Sequence, residues 1–506
     1  MPEEILGKLK KNIRPQWKVC FRSAIVIGLI AHLYKITNWL PNWDSLVFRY
    51  DSQNMVAIGR WFLPIASAPS SFYDLPWVTG LLAILFHALG AVCICRMFHV
   101  QKNITAGLIG AAVVSFPTVT SVLMYNYVAD SYALSFLLAC LAALLMTREK
   151  PRYPAAVLLL TLAVGIYQAY ITVTIMLLLC YLIVQTVREE TDGKTLVIKS
   201  GKFLLTGIAA MALYYLVLTV ILKITGTELL EYQGLRGATE MAGLDILGSL
   251  YTIKESFMGF FGFSGGITVF AIGNMTVLVI GTAFYLADII RKKRKLSQVL
   301  LLAVFVIALP FGASILGFVN SSIDYHNLMK MGFFVFYLFF ILRYEWEEPK
   351  FNTAKSWLVL TLTAMLIFNQ VLIANISYHK LTMAYEKSYG TLVRIADRIE
   401  QTEGSENCDS VLVLGVLAGS EAYSADFGPD MTGTTDGLIL RADDEIVGQS
   451  VLCSALNDYC HKEYRFLAGE EKTALLQKMD ANSLQSWPAK NAVCVVDNVI
   501  VIKLGD

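Results

Sequence analysis

Eleven stretches of this 506-residue chain are apolar over roughly twenty residues each, near 20–40, 76–96, 104–124, 129–147, 154–168, 170–187, 203–223, 267–290, 296–318, 328–343 and 356–376. Runs of that kind are not stable in water, and a helix satisfies its own backbone inside hydrocarbon. The expected fold is therefore a polytopic α-helical membrane protein with about 11 transmembrane helices. Composition agrees, since 56% hydrophobic residues, 16% charged residues and a mean hydropathy of +0.56 are too apolar for a set of water-soluble domains. Lys and Arg number 41 against 40 Asp and Glu, a net charge of +1 that offers nucleic acid no general attraction.

Basic residues collect in every other connection between these runs. Lys8, Lys10, Lys11, Arg14 and Lys18 come first, then Arg96 and Lys102, then Arg148, Lys150 and Arg152. Arg188, Lys194, Lys199 and Lys202 follow, then the Arg291 to Lys295 run, then Arg343, Lys350 and Lys355. Cationic connections stay cytoplasmic on insertion, which places the N-terminus inside and the C-terminus outside. The alternation stays in phase only if the 154–187 stretch, interrupted by Gly165, Tyr167 and Gln168, divides into two helices. No small-residue cleavage site follows the basic tail 1–22, so the first run is expected to remain as a signal anchor.

On this topology the outer face receives the 41–75 loop, turns at 125–130 and 167–170, the 224–266 segment and residues 320–327. Within the long segment, 242–261 has Leu244, Ile246, Leu247, Leu250, Ile253, Phe257 and Phe260 at helical spacing and reads as an interfacial helix. The composition turns polar at about Tyr378, dividing the chain into a membrane domain, 1–376, and a small C-terminal α/β extracytoplasmic domain, 377–506, of about 130 residues. An amphipathic helix over 381–400, a strand at 411–414, a helix at 470–479 and a hairpin over 494–502 turning at Asp497-Asn498 are its expected elements.

Cys20, Cys93, Cys95, Cys140 and Cys180 lie in or near apolar runs, while Cys408, Cys453, Cys460 and Cys494 are in the outer domain. Those four either form two disulfides or stay free in a domain able to fold without them. Cys93-Ile94-Cys95 is not a metal-knuckle spacing, and the six histidines show no ligand spacing either. Of these, His326 in Asp324-Tyr325-His326-Asn327 is kept as a substrate contact because it sits at the outer end of a span.

The 41–75 loop has more chemistry than a spacer needs. Trp43-Asp44-Ser45, Asp51-Ser52-Gln53-Asn54 and Gly59-Arg60-Trp61-Phe62 put two carboxylates and a guanidinium beside aromatic rings. A carboxylate can take the proton of an attacking hydroxyl, and a guanidinium can hold phosphate through parallel hydrogen bonds. The loop thus has the parts for transfer from a phosphate-bearing lipid. Trp43, Trp61, Phe62 and Trp77 are expected in the interfacial aromatic belt, where a ring can also stack on a sugar.

These runs, followed in order by Ala129-Asp130-Ser131-Tyr132-Ala133-Leu134 and Gly165-Ile166-Tyr167-Gln168-Ala169-Tyr170, resemble the bacterial O-antigen glucosyltransferase family of the GT-C class, particularly its Gram-positive branch. The resemblance extends to about residue 376, and Tyr385-Glu386-Lys387-Ser388-Tyr389-Gly390 and Arg394-Ile395-Ala396-Asp397-Arg398-Ile399 look like the same branch. It implies a multi-pass enzyme of the bacterial plasma membrane that inverts the sugar it transfers. The donor would be a polyprenyl phosphate hexose, typically glucose, and the acceptor a glycan or glycolipid on the outer side. No other cofactor is implied. Where Gram-negative members have two adjacent acids this chain has Asp44-Ser45, so no metal ligand is assigned and divalent metal dependence stays open.

Within that frame Asp44 is the expected base and Asp51 its alternative, with Arg60 as the phosphate partner. Asp130 opens a helix, where a carboxylate suits the dipole, and exposure to the outer cavity would make it a sugar or acceptor contact. Tyr167 and Gln168, at the broken stretch, would line the site, although Gln168 could equally bridge two helices. Two rival functions share the long apolar chain: a lipid-linked sugar flippase or polysaccharide exporter, and a non-catalytic surface-polymer assembly protein. The paired intramembrane charges and repeated helix pattern typical of a transporter are missing from the sequence.

Overall fold

The computed structural model of the chain describes residues 3, 13–188, 191–230, 245–261, 269–291, 296–318, 320–323, 325–346, 353–415, 431, 448–479 and 483–505. Lys8, Lys10, Lys11, 242–244, 292–295, Asp324 and Lys350, named above, lie outside the described residues. Among those described, nine helices are long and apolar enough to cross a membrane, and Tyr153–Ile166 and Ala271–Ala287 are shorter apolar helices. These helices occupy the eleven expected places.

In chain order the helices up to the last span are α1 (Pro15–Thr37), α2 (Trp43–Val47), α3 (Leu63–Ser67), α4 (Pro76–Met97), α5 (Asn103–Ser115), α6 (Pro117–Met124), α7 (Ala129–Thr147), α8 (Tyr153–Ile166), α9 (Ile171–Arg188), α10 (Gly193–Thr225), α11 (Ile246–Phe260), α12 (Val269–Arg291), α13 (Leu296–Ala313), α14 (Phe334–Glu345) and α15 (Thr353–Glu400). Proline occupies the first turn of α1, α4, α6 and α8, where its missing N–H has no intrahelical partner to lose. Pro117 also breaks the third span, because the residue before a proline is pushed out of the helical region and Phe116 adopts ψ 137°.

The 154–187 stretch divides as the charge alternation requires. Tyr167 is extended at φ −154°, ψ 119°, and a single 3-10 turn, Gln168–Tyr170, separates α8 from α9. The basic connections also gather together. Arg14, Arg96, His99, Arg148 and Arg152 border one cavity of about 390 Å³, and His99, Arg148 and Lys199 border its neighbour. Lys102 donates to the Tyr344 carbonyl at 2.7 Å. Loop 41–75 enters α4 at its other end, about 33 Å away for a helix of 22 residues.

His32 in α1 bonds the Tyr378 hydroxyl and the Val114 carbonyl, both at 2.8 Å, tying the first, third and last spans together. The interfacial segment is helical as expected. α11 turns Ser249, Ile253, Ser256 and Phe260 inward and leaves Leu247, Leu250 and Tyr251 exposed, the side a bilayer surface would cover.

The last span and the amphipathic 381–400 helix are one 48-residue element, α15, about 72 Å long, which runs through the expected boundary at 376/377. Polarity changes near Tyr378, but polarity alone does not end a helix. No proline or glycine stands between Thr353 and Tyr389 to break the backbone bonds.

Beyond it come β1 (Ser410–Leu414), α16 (Gly448–Cys460), β2 (Arg465–Phe466), α17 (Gly469–Lys478), β3 (Val493–Val496) and β4 (Val499–Lys503). The sheet order is β2-β1-β4-β3, with β1 parallel to both neighbours and β3–β4 a hairpin. Asp497 and Asn498 turn that hairpin with φ of 49° and 59°, as a two-residue turn between right-twisted strands demands. Period-two alternation sends Val411, Val413, Ile500 and Ile502 toward α16 and the end of α15, and Leu412 and Val501 toward α17. All nine cysteines are free, so the disulfide alternative is not the one adopted.

Candidate active site

The second half of the 41–75 loop is folded down into the break between α8 and α9. Gly59 takes φ 80°, turning the chain so that Arg60 points inward. The Phe62 N–H donates to the Gly165 carbonyl at 2.9 Å, which satisfies an acceptor that the end of α8 would otherwise leave open. A Cβ on Gly165 would lie 2.8 Å from Trp61 Cε2, so only glycine lets the indole seat there. Gln168 Nε2 donates to the Ile58 carbonyl at 2.9 Å and to the Tyr214 hydroxyl at 3.2 Å, and that hydroxyl donates to the Gly59 carbonyl at 3.0 Å. The loop is thus held from two helices at once. Trp61 is buried and Phe62 half-buried against this break, so they leave the expected interfacial belt, whereas Trp77 is exposed.

Arg60 is 8% exposed. Its Nη1 donates to the Tyr132 hydroxyl at 2.7 Å, and its guanidinium carbon lies 4.7 Å from the Tyr167 ring centre and 5.8 Å from that of Tyr132. Those rings stack 4.6 Å apart with an 8° interplanar angle. The negative faces of the aromatic rings favour a cation held beside them in an apolar place. Arg60, Tyr167, Gln168 and His326 share the wall of a cavity of about 210 Å³, otherwise lined by apolar groups such as Met211, Leu316 and Met329. Four of the residues singled out in the sequence, from connections far apart in the chain, therefore meet in one place.

The three aspartates lie elsewhere. Asp44 is in the first turn of the five-residue α2, capped by Asn42, whose Oδ1 accepts from the Ser45 N–H and hydroxyl, both at 2.9 Å. It is half-buried, and Tyr127 lies within electrostatic reach of both Asp44 and Arg60. Asp51 turns back on its own backbone, its Oδ1 accepting from the Gln53 N–H at 2.6 Å where Gln53 takes φ 55°. Asp130 is a correction: it is 2% exposed rather than open to an outer cavity. Its carboxylate accepts from the Ser131 N–H at 2.9 Å and from Ser70, while Ser131 and Ser67 hydroxyls meet at 2.9 Å. The loop folds onto the start of α7 and covers it.

Sequence reading passed over Tyr132 as a separate contact, Tyr214 inside an apolar run, and Asp74. Only the last left a signal, an acid one residue short of a span. Asp74 is buried and accepts from Trp39 Nε1 at 3.0 Å. Burial raises its carboxyl above the ordinary carboxylate value, while Lys35, the Trp39 indole, Arg49 and Ser45 pull it back down. Among the described residues no three His, Cys, Asp or Glu side chains gather as a metal-binding group.

Residues 33–343 match the family model described as glucosyl transferase GtrII, which spans the cavity and every site residue named above. The chain belongs to this glucosyl transferase family. No match was found among the curated proteins or the solved structures. The matched region of this membrane glucosyltransferase holds the arginine cavity and both halves of the 41–75 loop, and ends before α15 and the C-terminal sheet.

Proposed function

We propose that this glucosyltransferase takes glucose from a polyprenyl phosphate carrier and joins it, with inversion, to a glycan or glycolipid on the outer face of a bacterial plasma membrane, in the manner of the GT-C class. The observation that carries this reading is Arg60, held over two stacked tyrosines at the wall of an apolar cavity. Such a place suits a phosphate on a lipid: the guanidinium meets the anion, and the apolar walls meet the first isoprene units. Gln168 and His326 on the same wall offer polar contacts to a sugar.

In the proposed step the acceptor hydroxyl attacks the anomeric carbon as its proton passes to Asp44. The bond from that carbon to the phosphate oxygen breaks, and the polyprenyl phosphate leaves with the electron pair, stabilised by Arg60. A phosphate leaves as an anion, so no general acid is required. Of the two loop aspartates, Asp44 shares the Tyr127 neighbourhood with Arg60, whereas Asp51 is engaged in its own turn. Asp130, buried at the start of α7, has the position of a support for the loop.

The test is product analysis with purified protein in lipid nanodiscs, given labelled polyprenyl phosphate glucose and surface polymer from a strain lacking the protein. A new glycosidic bond is the expected result. Altered lipid sidedness without a bond would identify a flippase instead, and binding without either would identify an assembly protein.

A further inference from the structure

The family match ends at residue 343, yet the C-terminal domain grips the very loop that carries Asp44. We infer that this domain positions the first outer turn of the transfer site, with Arg49 and Asp458 as positioning residues. The inference rests on the reading of Asp44 as the base.

Three contacts carry it. Arg49 Nη1 pairs with Asp458 Oδ2 of α16 at 3.2 Å, while its guanidinium lies 4.7 Å from the Trp39 ring centre and 5.7 Å from that of Tyr459. The Trp39 and Tyr459 rings meet at 6.1 Å, so one cation is enclosed by an aromatic from the loop and another from the domain. Secondly, Leu46, two residues after Asp44 on α2, is 4% exposed and belongs to the same buried cluster as Leu392, Val451 and Leu456 of the C-terminal domain. A helix of five residues has no stability of its own, so this burial and the Asn42 cap hold it.

Thirdly, the grip continues inward. The Arg49 carbonyl accepts from the Asp74 N–H at 2.8 Å, and Asp74 holds Trp39 and interacts with Ser45, the neighbour of Asp44. The Arg49 pair is one-third exposed and adds little stability as an ion pair. Its effect is geometric: it fixes which way the Asp44 turn faces.

The experiment uses the full-length protein in nanodiscs and compares Asp458→Ala, Asp458→Glu and Asp44→Asn. Asp458→Ala is expected to lower kcat about tenfold with the donor KM little changed, since a small misplacement of a reacting group acts on the transition state. Hydrogen exchange of amides 42–48 should speed up in the same variant, and Asp458→Glu should restore both. Unchanged exchange in Asp458→Ala overturns the grip. Faster exchange with wild-type kcat overturns the positioning role, as does a loss of kcat that Asp458→Glu fails to rescue. Wild-type kcat in Asp44→Asn removes the base assignment alone, because the grip is scored by exchange in its own variant.

Discussion

The two halves of the loop between α1 and α4 are fastened in opposite directions. Residues 39–54, with Asp44 and Asp51, are held by the C-terminal domain through Leu46, Trp39 and Arg49. Residues 55–70, with Arg60, are held by the membrane helices through Gly165, Gln168, Tyr214 and Tyr132. A single loop thus presents its proposed base and its proposed phosphate partner from two separate supports. Damage to one support should therefore leave the signature of the other intact.

The largest effect expected is that of Asp44→Asn, a loss of transfer of about 10³-fold with donor binding retained, read by initial rates and by binding of labelled lipid. Asp51→Asn should stay close to the wild-type rate, because an asparagine oxygen can still accept from the Gln53 N–H. Equal losses in the two variants would erase the distinction drawn within the first half of the loop. Next comes Arg60→Ala, with about a 10²-fold loss in kcat/KM and weaker donor binding. Arg60→Lys should rescue it only in part, since a point charge lacks the guanidinium fork.

A smaller effect separates support from chemistry. Gly165→Ala should destabilise the fold by about 1–3 kcal/mol and raise the donor KM, because its Cβ meets Trp61 in the second half only. Thermal unfolding and saturation curves check it. Loosened exchange at 42–48 in that variant would show that the halves are not independent.

The smallest effect is one of pH, at Asp74. Burial raises its folded pKa above the ordinary 3.8, so the folded chain holds that proton more tightly than the unfolded chain. The contribution to stability is complete below the unfolded value, declines as pH rises from it, and is fully lost once pH exceeds the raised folded value. Melting of the wild type relative to Asp74→Asn should fall on going upward from about pH 4. A flat difference would place the Asp74 charge outside the energetics of the first half.

Much of the architecture was legible along the chain. Span number follows from run length, and the division at Gly165 to Gln168 follows from charge alternation. The Asp497-Asn498 hairpin follows from a two-residue turn between β-branched runs. The change in polarity near 376 did not reveal that a single helix runs through it, because the backbone of α15 meets no breaker there. At the site, Arg60, Tyr167, Gln168 and His326 were each singled out, but nothing local says that they face one cavity. Tyr214, hidden in an apolar run, and Asp74, just before a span, act only through residues far away in sequence.

By itself the sequence determined a multi-span membrane chain with an α/β appendage and an acid-and-arginine loop, because hydropathy, turn chemistry and charge placement are local properties. The tertiary structure alone decided how that loop is divided. Gln168 lies 110 residues from Ile58, and Asp458 lies beyond the last span from Arg49. Contacts so distant depend on how the helices pack, and that packing buried Asp130, cradled Arg60 and brought the C-terminal domain down on the turn that carries Asp44.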